Sequence, residues 1–216
     1  MKLPAYFDLV PVLRVQDPLA RTLGCAEDGL LEYGFADAVR LTGHSCPTVA
    51  SAYWLTFLAL EALYPDALPQ RGNIKVEFRD DARTGTNGVV ATVIQMLTGA
   101  AGNSGFKGLG GRFGRAGLIR YRPDILLSLR FTRLDTGDAV DAGADLSFVP
   151  ADAALAPLLE RFSRARLTLA EEALLGQLWQ ARVREILLRH GRDPAVFMVG
   201  TVQRRANAVP LEPLAI

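Results

Sequence analysis

Sulfur and imidazole are scarce in this chain: two cysteines, Cys25 and Cys46, and two histidines, His44 and His190, in 216 residues. No CxxC pair and no HExxH motif can be built from them, which excludes a four-cysteine zinc module and a helix-borne metalloprotease centre. Two cysteines allow one disulfide at most, and free thiols are expected in a reducing compartment. Charge of either sign is not in excess. With 24 basic and 23 acidic side chains, no global field draws the chain to nucleic acid or to an anionic membrane. The longest apolar run, residues 49–63, is interrupted by Ser51, Tyr53, Thr56 and Glu61 and is short for a bilayer span. Residues 1–15 lack a basic head leading into an unbroken apolar core, so no secretory signal is read and the expected location is cytoplasmic.

What is present begins with Gly43-His44-Ser45-Cys46-Pro47, just ahead of that apolar run. One of the two histidines and one of the two cysteines stand two positions apart where a helix is expected to begin. Pro47 suits a first helical position, where an N–H has no partner, and this puts Cys46 at the N-cap. The helix dipole and the free N–H groups there favour a thiolate, the form that binds metals and attacks electrophiles. His44 and Cys46 are therefore the candidate metal ligands, and Cys46 is the candidate catalytic residue. Two donors do not fill a zinc site, which takes three or four protein ligands, so an open or exchangeable site is expected. A cysteine packed as a small hydrophobe beside a turn-capping histidine is the competing structural reading. Cys25 has no distinguishing context, and His190 is read as a helix-terminal residue.

The pattern predicts short helices over 16–26 and 35–41 and a long one over 48–64. Residues 74–79 alternate apolar and charged, as in a half-exposed strand. Segment 89–97 is ambiguous between strand and buried helix. Strands are expected at 118–121 and 125–132, with Asp135-Thr136-Gly137-Asp138 turning into a weak strand at 139–141. Beyond Pro150 two helices are predicted, 153–165 and 169–189, with Gly191 as the stop signal. The sum is α+β: a small, mostly antiparallel sheet packed with helices over 1–150, and a C-terminal helical extension over 151–216. That extension is expected on the core or at a subunit interface.

Residues 99–117 carry eight glycines and must form a loop. Dense glycine lets a backbone approach a ligand, and Lys107 and Arg112 are the candidate residues to meet an anionic group. The loop is neither a phosphate loop nor a dinucleotide fingerprint. Lys107, Arg112, Arg115, Arg120 and Arg122 make it the best basic patch in the chain. Tyr53, with Trp54 and Phe57 at helical spacing behind Cys46, belongs to a core stripe, and Tyr53 is also the candidate aromatic contact of the site.

Two of these stretches, in this order and separation, resemble the FmdE-like family, which takes its name from a component of formylmethanofuran dehydrogenase. They are Gly43 to Pro47 before an apolar helix, and Ile94-Gln95-Met96-Leu97-Thr98-Gly99 before a Gly-rich, Lys-bearing loop and a strand. The resemblance covers residues 35–121. It implies an α+β core that commonly forms a homodimer, a metal site at His44 and Cys46, a helix over 89–97, and the Gly-rich loop lying near the His-x-Cys turn. The chain departs from the family at Thr48, where glycine is usual, and at Ala100, where cysteine often stands. Ala91-Thr92-Val93 stands where Cys-Asp is usual, and the C-terminal CxxC zinc-finger module is missing.

The expectation is a metal-binding protein, zinc first and iron or haem as alternatives, with a small-molecule or metal ligand as partner and no nucleic acid or membrane. One form of it is an enzyme acting on a small anionic substrate. A non-catalytic haem- or metal-binding carrier or sensor, and a metal-free enzyme in which His44 activates Cys46, are the alternatives.

Overall fold

A computed structural model of the chain describes residues 2–122 and 124–202; the end of the expected extension, 203–216, lies outside them. In order, the elements are β1 (Leu13–Gln16), α1 (Pro18–Thr22), β2 (Leu30–Tyr33), α2 (Phe35–Thr42), α3 (Pro47–Leu63), β3 (Ile74–Phe78), α4 (Asn87–Thr98), β4 (Ile119–Tyr121), β5 (Leu129–Arg133), β6 (Ala139–Ala144), α5 (Leu155–Ser163), α6 (Leu169–Leu188) and β7 (Phe197–Thr201). The architecture is α+β. β1 and β2 form an antiparallel ribbon, and a five-stranded sheet has the order β4-β3-β5-β6-β7. Every pair in that sheet is antiparallel except β3 with β4.

The apolar run of the sequence becomes α3, which is apolar over most of its surface because most of it is buried; Glu61 and Ala62 near its end are exposed. Ala50, Tyr53, Ala59 and Leu60 are each 0% exposed. The sheet, α2, α4 and α6 all pack against this helix. Its small residues let those neighbours approach closely, and its alanines and leucines have high helix propensity. An edge-to-face chain of Phe7, Phe35 and Tyr53 carries the packing out to the N-terminal segment.

The ambiguous segment 89–97 is helical, within α4. β-branched residues disfavour a helix only weakly, and packing against α3 outweighs that preference. Gly99 ends α4 in the left-handed conformation, its N–H donating to Gln95 O. The predicted helix over 16–26 splits instead: Gln16 still belongs to β1, and Asp17 caps the five-residue α1. β3 is more buried than its alternation suggested, with Glu77 inside and paired to Lys75 at 3.1 Å. This follows from its place between two other strands.

Residues beyond Pro150 are not only helical. β7 pairs along β6 and extends that strand to Ala144, past the expected end. Val183, Ile186 and Leu187 of α6 and Phe197 of β7 join the same core as α3. Gly191 has a role other than the one predicted. α6 ends with a C-cap at Arg189, and Gly191 lies against the Trp54 indole, where an added Cβ would overlap the ring. Trp54 Nε1 donates to Leu187 O at 3.1 Å, so this contact fastens α6 to α3.

Gly191→Ala is accordingly expected to destabilise the fold by about 1–3 kcal/mol through overpacking. Gly176→Ala, at an exposed position of α6 with open space at its Cβ, is expected to stabilise it by about 0.4–1 kcal/mol. Urea midpoints of the two variants, moving in opposite directions, check both.

Candidate functional site

The His-x-Cys turn is built by two helix ends. Gly43 closes α2 with φ 77°, its N–H donating to Val39 O. Cys46 then takes the N-cap of α3 in an extended conformation, and its Sγ accepts the Val49 N–H at 3.4 Å. The sequence expectation for Cys46 and Pro47 therefore holds. Cys46 is 8% exposed, whereas His44 is exposed. The His44 Nδ1 lies 2.9 Å from Thr42 O. A carbonyl can only accept, so Nδ1 carries the proton, and Nε2 of the neutral ring keeps the lone pair.

Residues from the far end of the chain hold this turn. Ser45 O accepts from Trp179 Nε1 and from Gln180 Nε2, each at 3.1 Å. The Gln180 side chain is fixed in turn by the Tyr6 hydroxyl, which donates to its Oε1 at 2.8 Å. Burial raises the Tyr6 phenol above its ordinary range, against the opposing charge of Arg184. The carboxamide thus uses its oxygen on Tyr6 and its nitrogen on Ser45. Trp179 and Gln180 lie on the helix expected over 169–189, and neither they nor Tyr6 were among the expected site residues. The indole N–H of a half-buried Trp needs a partner, which is the one signal that pointed beyond packing.

The other expected site residues do not gather there. Tyr53 is wholly buried, its hydroxyl 2.6 Å from Pro11 O and 2.8 Å from Tyr33 O. Burial pushes this phenol far above its usual range. It ties α3 to the N-terminal segment and to the end of β2. Lys107 and Arg112 are exposed, and Arg112 lies over the Phe113 ring at 4.7 Å. Cys25 is free and exposed. His190 Nδ1 pairs with Asp193 Oδ2 at 3.0 Å. Among the described residues, no group of three His, Cys, Asp or Glu side chains is placed to hold a metal ion.

The Gly-rich loop is anchored elsewhere. The first turn of α4 and the N-terminal half of α3, from Thr48 to Leu55, together line one cleft. The loop starts at Gly99, at the other end of α4 and about 18 Å along a 12-residue helix. Its basic residue with a structural role is Arg115, 6% exposed, whose Nη2 donates to both carboxylate oxygens of Asp17 at 2.9 and 3.1 Å. Arg71 Nη1 donates to the same carboxylate at 2.8 Å. Asp17 also receives the Leu19 and Ala20 N–H groups at the start of α1. Gly72 and Gly99, both at positive φ, leave room for the Arg115 guanidinium; a Cβ on Gly72 would stand 2.7 Å from its Nε. Among the described residues, the loop's polar contacts include none to His44 or Cys46.

No protein-family model matches the chain, and no curated protein matches it either. No helix among the described residues is long and apolar enough to cross a membrane.

Burial by itself would raise the Asp17 carboxyl, but hydrogen bonds from Arg71, from the Ala20 N–H and from Arg115 outweigh it and hold the pKa below the ordinary value. A depressed carboxylate contributes stability above its unfolded pKa and loses that contribution as pH falls through the folded value. Asp17→Asn leaves two guanidiniums without their counter-charge and is expected to cost about 3–5 kcal/mol near neutral pH. The gap from wild type should narrow as pH drops below about 4. Denaturant titrations of both proteins across that range check the sign.

Proposed function

We propose that the chain is a metal-binding protein with an open, two-donor site at the start of α3, Cys46 Sγ and His44 Nε2, favouring zinc. The observation that carries this reading is the His44 ring geometry. A ligating histidine characteristically gives its other ring N–H to a carbonyl or carboxylate, which fixes the tautomer and aims the remaining nitrogen. His44 Nδ1 has this arrangement with Thr42 O. Cys46 supports it from the other side: its sulfur sits at the start of α3, two residues from His44, where it accepts the Val49 N–H. The resemblance at Gly43 to Pro47 points to the same two residues.

The remaining coordination positions belong to water, to an exogenous ligand or to a second copy of the chain, because the described residues supply no third donor. An open position is what a Lewis-acid site or a metal carrier requires. The haem and thiol-enzyme alternatives use the same two residues and have no separate supporting feature.

Anaerobically purified wild type, reconstituted with zinc and desalted, is expected to retain near-stoichiometric metal by plasma mass spectrometry. Cys46→Ala and His44→Ala should each lose it. Absence of metal from the reconstituted wild type would overturn the proposal and leave Cys46 as a helix cap. A thermal melt of each variant separates loss of the site from loss of the fold.

A further inference from the structure

A cleft of about 230 Å³ lies on a different face of the molecule's central helix from Cys46. Thr48, Ser51, Ala52 and Leu55 supply its α3 wall, at the i, i+3, i+4, i+7 spacing of one helix face. Thr86, Asn87 and Val90 close it from the start of α4, and Ser128 and Leu129 from β5. Neither His44 nor Cys46 lines it.

Its polar groups are arranged by depth. Thr86 and Ser128 are exposed and form the mouth, while Ser51 is 8% exposed and lies at the bottom. The Ser51 hydroxyl is buried with no hydrogen-bond partner. A serine inside a helix ordinarily satisfies itself on a carbonyl of the preceding turn. Thr56 does so on the same helix, donating to Ala52 O at 2.7 Å. Ser51 does not, and an unsatisfied buried hydroxyl is costly to keep unless something else meets it. At the start of α4 the Asn87, Val89 and Val90 N–H groups donate to Thr84 O and Thr86 O, but Thr86 makes no side-chain cap bond, and the Asn87 amide nitrogen is committed to Asp80 O and Asp81 O.

The charge environment narrows the class of ligand. The cleft runs along α3 from Thr48 near its start to Leu55 two turns on and takes in the first turn of α4, and both helix starts carry partial positive charge. No Asp, Glu, Lys or Arg lines it among the described residues. A single negative charge is therefore favoured, while a phosphate or a dicarboxylate finds no cation to match its second charge. Leu55, Val90 and Leu129 offer an apolar wall beyond the hydroxyls. The volume admits roughly seven or eight water-sized groups at about 30 Å³ each.

We infer that this cleft binds a short-chain monocarboxylate, its head group accepting a hydrogen bond from Ser51 at the bottom of the cleft, its tail against Leu55, Val90 and Leu129. The inference is independent of the metal site, because none of its residues is a proposed ligand.

Hexanoate is the probe, titrated into the full chain and followed by amide chemical shifts. Saturable shifts confined to residues 48–55, 86–90 and 128–129 are expected, with binding weaker by threefold or more for hexanamide and for inorganic phosphate. Ser51→Ala should weaken hexanoate by a similar factor while leaving the melting temperature unchanged or raised, since it removes an unsatisfied group. Thr86→Trp, at the exposed mouth, should fold normally and obstruct entry. No saturable shift with hexanoate, equal binding of hexanamide, or binding indifferent to both substitutions would each overturn the inference.

Discussion

Burial of most of α3, with only Glu61 and Ala62 near its end exposed, is the constraint on which the rest of the structure depends. A helix apolar over most of its circumference must be covered from several directions, and the sheet, α2, α4 and α6 do so. This explains why residues past Pro150 share one core with the N-terminal elements. Without α6 and β7, Trp54 and the sheet edge at β6 would lie open. It also explains why the His-x-Cys turn sits where it does: the start of the most buried helix is held rigidly, and its N-cap inherits that rigidity.

The second organising interaction is polar. Asp17 collects two guanidiniums and two backbone N–H groups, and through them joins the β1 ribbon, the approach to β3 and the end of the Gly-rich loop. A charge this deep is tolerable because it is fully bonded, and the network specifies the loop's return path to β4. The glycines of that loop are thus partly structural. Gly99, together with Gly72 outside the loop, makes space for the Arg115 guanidinium.

Much of the candidate site was legible locally. Cys46 as N-cap and Pro47 as first helical residue follow from rules that act within four residues, and they hold. The partners of the turn were not legible. Trp179 and Gln180 are 134 and 135 positions from Ser45, and only the docking of α6 on α3 brings them to its carbonyl. The cleft was hidden for the same reason. Ser51 reads as an interruption in an apolar run, and nothing local reveals that its hydroxyl lacks the usual carbonyl partner.

By itself the sequence determined where helices start and stop around capping residues, that the chain is α+β, and that 49–63 is the centre of the core. Those properties depend on neighbours three or four residues apart, on hydrophobic period and on turn chemistry. Tertiary structure alone decided the existence and pairing of β7, the path of the Gly-rich loop away from Cys46, and the role of Gly191. Each of these turns on a contact between residues distant in the chain, where burial against a partner outweighs the weak preferences of the local segment.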